Sequence, residues 1–319
     1  MVNWINKVLK IGEKIKSNLS KKFPSKLEQS ESKWMTSCCK NGPVLKSSIF
    51  NEKQLNVCPD CNRHFPFTPR ERFDHFFGKN NYEIIDTPKP IDDPLNWPED
   101  VYKKKLEKAR KICNHHCAVM VAQGVRDGIR ITSFAIDSRF IGGSINAASG
   151  EAIVTCFQKG IDNRTPVVGW SEGGGQAMYE SNIALNFMVK TVLAANTFKS
   201  NNLAYINVYT NKCYGGITGS FAGPSISDIT FAESNSALIG FAGQHIIKNQ
   251  TKENLPEGFQ GSKRLTETGF CDGIYDRKEI NDKIINILKI LLHKNDVNKE
   301  IDNEFEASKD NQKFRKEAS

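Results

Sequence analysis

From residue 117 onward, two hydrophobic rhythms alternate along the chain. "CAVMVAQGVRDGIRITSFAID" reads as two strands about an Asp127-Gly128 turn. "NAASGEAIVTCFQKGI" then reads as a helix, "TPVVGW" as a strand, residues 176 to 198 as a helix and "LAYINVYT" as a strand. A Gly-rich stretch with a helix follows, and "ITFAESNSALIGFAG" opens on another strand. Strands alternating with helices predict βαβ units with parallel pairing, hence an α/β domain. "DKIINILKILLHK" places Ile284, Ile287, Leu288, Leu291 and Leu292 on one face of an amphipathic closing helix.

Upstream the pattern is less regular. "FTPRERFDHFF" predicts a helix with Thr68 as N-cap, Pro69 at the first helical position and Glu71 completing a capping box. Residues 79 to 98, rich in Pro and Asp, read as a loop, and "PEDVYKKKLEKARKIC" as a charged, exposed helix. The chain is therefore divided into a basic arm (1–33), a Cys-bearing module (34–64), a helical linker region (65–112), the main domain (113–294) and a charged tail expected to be disordered (295–319). No apolar run is long enough to span a membrane. Nine Cys in 319 residues suit a reducing compartment better than a disulfide scaffold. The net charge of +8 owes much to the basic arm, which leaves weak nucleic-acid binding as one reading of that end.

Three glycine pairs then change the picture: Gly142-Gly143 in "FIGGS", Gly174-Gly175 in "EGGGQ" and Gly215-Gly216 in "CYGGITGSF". Each is expected where a strand hands over to a helix. Glycine admits close backbone approach, and a helix start offers N–H donors, so such junctions can stabilise developing negative charge. None fits a Walker loop or a dinucleotide fingerprint.

"FIGGSINAASGEAIVTCFQKGIDNRTPVVGWSEGGGQAMYE", "YTNKCYGGITGSFA" and "ALIGFAGQHIIKNQTKENLPEGFQGSKRLTETGFCDGI" resemble the carboxyltransferase β subunit of bacterial-type acetyl-CoA carboxylase. The opening "NWINK" and the Cys-bearing segment after Trp34 share the resemblance. It implies a crotonase-like (ClpP/crotonase superfamily) domain of ββα units with an N-terminal zinc-ribbon-like module. It implies transfer of a carboxyl group from carboxybiotin to acetyl-CoA, giving malonyl-CoA for fatty acid biosynthesis. The implied partners are a carboxyltransferase α subunit, in a heterotetramer of two α and two β chains, a biotin carboxyl carrier protein and a biotin carboxylase. The implied location is the cytoplasm, or a plastid-type stroma. Under this reading Gly174 and Gly175 stabilise the thioester enolate. Gly142 and Gly143, with Gly173 and Met178, serve the acyl-CoA pocket, and Gly215 and Gly216 face the biotin side.

The sequence also departs from the family. Where the family reads S-G-G-A-R-M-Q-E, Gly173 to Glu180 place Ala177 at the Arg position, and "GFAGPR" becomes "GFAGQH" with Gln244 and His245. These changes keep open a paralogue acting on another acyl-CoA. Glu172 is expected to point to solvent. A hydratase of the same fold would need carboxylate acid–base groups, for which Glu172 and Glu180 are the nearby candidates. The implied zinc site retains Cys58-Pro59-Asp60-Cys61, but Asn41 stands where a second Cys is expected. The ligand set is then Cys38, Cys58 and Cys61, with Cys39 or His64 as the fourth. A second cluster, "CNHHC" at 113 to 117, straddles a helix end and a strand start and reads as exposed and incidental.

Overall fold

The structure, a computed structural model, describes residues 33–39, 42–233 and 237–292, with backbone alone for 35–39. Most of the basic arm, the charged tail and the Cys38 and Cys39 side chains thus lie outside the described residues. By its contacts the chain divides into a unit ending at Arg63 and one beginning at His64.

In the first unit, β1 (Trp34–Cys39) pairs antiparallel with β2 (Gly42–Leu45), and a helical turn α1 (Lys46–Ile49) follows. A tight turn holds Cys58, whose N–H donates to the Arg63 carbonyl while its own carbonyl accepts the Asn62 N–H.

The second unit is built on an eight-stranded mixed sheet. Its strands are β3 (Tyr82–Ile85), β4 (Val119–Arg126), β5 (Ile129–Ile136), β6 (Val167–Gly173), β7 (Tyr205–Tyr214), β8 (Ile229–Glu233), β9 (Leu238–Gly240) and β10 (Gly273–Tyr275). The order is β10-β8-β7-β6-β5-β4-β3, with β9 pairing the end of β7. The pairs β5-β6, β6-β7, β7-β8 and β8-β10 are parallel; β3-β4 and β4-β5 are antiparallel. The β4-β5 hairpin closes on Asp127 and Gly128, both at positive φ, which matches the right-handed twist of the strands.

Helices cover both faces of this sheet. On one face α2 (Pro69–Phe77) and a helix over 280–292 enclose Phe73, Phe76, Trp170, Phe231, Ile284 and Leu288. The capping box of α2 forms as expected: the Thr68 hydroxyl accepts the Glu71 N–H, and the Glu71 carboxylate accepts the Thr68 N–H at 2.7 Å. On the other face lie α3 (Val101–Cys113) and α4 (Ala147–Asp162), with α5 (Ser181–Ser200) against α4. Gly150 permits the α4–α5 approach, because a Cβ there would meet the Phe187 ring at 2.2 Å. Two short helices, α6 (Gln244–Thr251) and α7 (Ser262–Glu267), precede β10.

Three local expectations fail. The helix α3, read as exposed, buries Tyr102, Leu106 and Ala109 against the sheet, an apolar stripe that its many Lys residues mask in the sequence. The stretch 79–98 contains β3, which extends the sheet beside β4. The Gly-rich stretch after β7 forms successive turns over 215–227 rather than a helix. Gly, Ser, Thr and Pro there favour local turn bonds, such as the Thr218 hydroxyl to the Gly215 carbonyl at 3.0 Å.

Candidate active site

The three glycine pairs converge beyond the carboxyl end of β6, where parallel sheets commonly bind ligands. Main-chain bonds hold them. The Gly174 N–H donates to the Gly142 carbonyl at 3.0 Å, Ile145 N–H to the Gly175 carbonyl at 2.9 Å and Ala177 N–H to the Ile145 carbonyl at 2.9 Å. The backbone of 142–145 is thus laced to 174–177. Gly143 and Gly173 touch: a Cβ on Gly143 would lie 2.8 Å from the Gly173 Cα. On the other side a Cβ on Gly175 would meet the Gly216 nitrogen at 3.4 Å, and one on Gly215 the Gly175 Cα at 3.5 Å.

This lacing decides which donors remain. Gly143, Gly174 and Gly215 spend their N–H groups on the carbonyls of Phe140, Gly142 and Phe241. Among the described residues, no hydrogen bond engages the N–H of Gly175 or Gly216. The two unspent donors therefore come from adjacent loops after β6 and β7. Neither lies at a helix start. After Gly175 a 3₁₀ turn (Met178–Glu180) intervenes before α5, and after Gly143 the helix begins only at Ala147, capped by Asn146, which accepts the Ser149 N–H at 2.9 Å. Both N–H groups therefore belong to loops, without a helix macrodipole behind them.

The carboxylates lie elsewhere than expected. Glu172 is 2% exposed and turned inward. It accepts the Ser138 N–H at 3.1 Å and the Thr210 hydroxyl at 3.2 Å. Burial raises its carboxyl above the usual range, against the pull of those donors. Glu172 thereby links the strand end carrying Gly173 to the loop leading to Gly142 and to β7. Glu180 is also buried, accepting the Ala147 N–H at 2.7 Å at the start of α4 and the Tyr102 hydroxyl at 2.9 Å. Burial raises it too. Both carboxyls are occupied inside the protein, which removes the candidate acid–base pair of a hydratase.

The family-divergent side chains make the following contacts in this chain. Ala177 is buried, and Gln176 donates from Nε2 to the Ala184 carbonyl at 3.1 Å. Gln244 donates to the Phe259 carbonyl, and His245 pairs with Asn249 on the exposed side of α6. Met178 is 86% exposed beside the glycine loops. His64, an alternative zinc ligand, has its ring between carboxylates, with Nε2 3.1 Å from Asp276 and Nδ1 3.5 Å from Glu233. Of the expected zinc donors, only the Cys58 and Cys61 side chains are otherwise described, and two thiols do not complete a tetrahedral set.

Sequence reasoning missed a buried ion-paired group. Glu233, at the end of β8, is fully buried between Arg72 at 2.5 Å and Arg277 at 2.6 Å. Arg72 stacks over the Trp170 ring. Burial alone would raise the Glu233 carboxyl, but the Arg277 and Arg72 charges outweigh it and hold it well below the usual range. Charged residues spaced this far apart along the chain give no local signal of their pairing.

Comparison with known proteins agrees with this architecture. The family model described as the carboxyl transferase domain matches residues 98–318. The acetyl-coenzyme A carboxylase carboxyl transferase subunit beta of Pelagibacter ubique is 46% identical over 319 residues, covering 100% of both chains. Its counterpart in Chelativorans is 35% identical over 292 residues, covering 91% of each. Among solved structures, a Pseudomonas malonate decarboxylase hetero-dimer aligns with TM-score 0.52 at 19% identity, covering 69% of this chain and 85% of that one. Transcarboxylase 12S aligns with TM-score 0.54 at 16% identity, over 71% of this chain and 41% of that one. These two show a shared fold. The fold, the domain match and the full-length relative together place this chain in the carboxyl transferase family, with the β subunits of acetyl-coenzyme A carboxylase carboxyl transferase.

Proposed function

We propose that this chain is the β component of a biotin-dependent acetyl-CoA carboxylase and passes a carboxyl group to acetyl-CoA, giving malonyl-CoA for fatty acid synthesis. The carboxyl donor is carboxybiotin on a separate carrier protein; it supplies the transferable carboxyl and a ureido nitrogen able to take the methyl proton. The chain's own task is then to orient the thioester and stabilise an enolate oxygen. The observation that carries this reading is the pair of unspent N–H groups at Gly175 and Gly216. Fixed main-chain donors of this kind are each worth about 3 to 4 kcal/mol of transition-state stabilisation. Gly142, Gly143 and Gly173 shape the wall on the acyl-CoA side, and Met178 offers it an apolar contact.

A partner completes the site. Leu185, Val189 and Leu193 follow one another at helical spacing along α5 and are all exposed, an apolar stripe that suits burial by the α subunit. The compartment proposed is the cytoplasm. Zinc in the Cys58–Cys61 module is proposed as a structural ion, and no catalytic step passes through it.

The test is reconstitution of the chain with its α subunit, following malonyl-CoA-dependent carboxylation of biotin and forward transfer to acetyl-CoA, with and without chelator. Transfer by the complex and none by the isolated chain is the expected result. An assembled complex that transfers only to another acyl-CoA identifies a diverged paralogue, and one that transfers to none overturns the reading.

A further inference from the structure

The turn joining α3 to β4 carries Cys113-Asn114-His115-His116-Cys117. Its sequence spacing suggests no common site, but the backbone supplies one. Asn114 adopts a left-handed conformation (φ 52°, ψ 39°), which ends α3 and folds the following residues together. One donor atom each from His115, His116 and Cys117 now lies within 4.8 Å of the others. Cys117 is buried, and the two imidazoles are half-buried rather than exposed.

We propose that His115, His116 and Cys117 form a binding site for a thiophilic divalent cation of the zinc class, separate from the Cys58–Cys61 module. The spacing suits it. Cys117 Sγ and His115 Nδ1 are 3.9 Å apart, and two such donors on one tetrahedral zinc sit about 3.5 Å apart given the usual Zn–S and Zn–N lengths. His115 Nδ1 also lies 3.0 Å from the Cys117 carbonyl, so a small ring rotation transfers it from that oxygen to an ion. His116 uses one ring nitrogen on the Pro88 carbonyl, and its Nε2 lies 3.2 Å from the Thr87 hydroxyl. A backbone carbonyl on one nitrogen is the usual way a ligating imidazole is oriented. The Thr87 hydroxyl beside Nε2 can rotate away and yield to a cation.

The surroundings select the kind of ion. The nearby carboxylates are already neutralised, Asp92 by Arg110 at 2.6 Å and Asp137 by Arg139 at 2.6 Å. A hard cation such as magnesium or calcium would find no uncommitted carboxylate, only the neutral Cys117 and Pro88 carbonyls and the Thr87 hydroxyl. Two imidazoles and a thiolate suit a borderline or soft ion. Binding exchanges the Cys117 S–H bond for a metal–thiolate bond and releases one proton to solvent. Three protein donors leave a fourth position for water. The Asp137 N–H bonds the Ala118 carbonyl, so an ion here would tether the base of the loop leading to Gly142.

The experiment is a titration of the full-length, reduced and metal-stripped chain with Co2+, then Zn2+. The same titration is run on Cys58→Ser/Cys61→Ser, on His115→Ala/His116→Ala and on Cys117→Ser. The proposal expects one equivalent of Co2+ with a thiolate charge-transfer band in the Cys58→Ser/Cys61→Ser chain, with one proton released. It expects the histidine variant to lose that equivalent or bind it about tenfold or more weakly. The histidine variant is the primary control because its rings are only half-buried; Cys117→Ser is read only if its circular dichroism is unchanged. An unchanged band in the histidine variant, or no bound ion in Cys58→Ser/Cys61→Ser, overturns the site.

Discussion

Two regions of the larger unit handle charge in opposite ways. At the carboxyl ends of β6 and β7, the glycine loops present bare main-chain N–H groups, with Gly175 and Gly216 unspent. At the end of β8, Glu233 is enclosed by two guanidinium groups with no exposed atom. Under the proposed function the first region receives a charge that arrives with the substrate, on fixed main-chain dipoles with no charged side chain of their own. In the second the carboxylate is already paired twice, so its energy goes into holding α2, β8 and the Arg277 segment together. Side-chain identity matters little in the first beyond the absence of Cβ, and it is decisive in the second.

The sharpest way to break this contrast is Gly175→Val. Gly175 sits at φ 112°, where a β-branched residue is strained, and its Cβ direction faces Gly216 and the Tyr214 carbonyl at 3.4 Å. Displacing one donor should lower kcat for carboxyl transfer by about 100-fold or more, with assembly retained. Steady-state assay of the reconstituted complex, beside gel filtration, checks it; full activity would remove the glycine loops from the mechanism.

Next comes Glu233→Ala, which leaves two buried guanidinium groups without their counter-ion. It should cost about 3 to 5 kcal/mol of unfolding free energy, read from urea denaturation. The same group sets a pH response. Its folded-state value lies well below the unfolded one, so its stabilisation is present above about pH 4.3 and is lost as pH falls through the lowered value. Acid unfolding of the wild type should therefore be steeper than that of Glu233→Gln.

How much of this was legible follows from the kind of signal each feature leaves. The α2 cap and the Asp127-Gly128 hairpin were readable because both depend on neighbours in sequence. The closing helix was readable from its 3.6-residue period: Ile284 and Leu288 are buried as expected, and Ile287 packs beside them. The strand β3 escaped because four residues between Pro- and Asp-rich segments give too short a period. Glu172 was misjudged because β6 is buried on both faces, so strand alternation says nothing about which way a polar residue points. The glycine positions were readable as a site, but not which N–H groups remained available, since that depends on pairings between loops such as Gly174 with Gly142.

Glu172→Gln should have a smaller effect. An amide can accept the Ser138 N–H through its oxygen and donate to the Thr210 oxygen, keeping both links. The native carboxyl has a raised folded-state value. Its contribution to stability is full below about pH 4.3 and is lost as pH rises through that raised value. The variant lacks this loss, so its unfolding free energy should match the wild type within about 1 kcal/mol in acid and equal or exceed it at neutral pH. Chemical denaturation at several pH values tests this, and a variant weaker at every pH would mean that the charged form is the one the fold prefers.

The smallest effect should come from Gly174→Ala, one residue before the most sensitive position. Gly174 lies outside the left-handed region, and a Cβ there would meet only the Gly142 carbonyl, at an ordinary 3.7 Å. Alanine also keeps the N–H that bonds Gly142, so the lacing of the two loops survives. Activity within about twofold of wild type and a stability change within about 0.5 kcal/mol are expected. If Gly174→Ala instead fell as far as Gly175→Val, the substrate would have to pass over the Gly174 Cα itself. The site would then be a surface that needs close approach along the whole glycine run, rather than a pair of donors at Gly175 and Gly216.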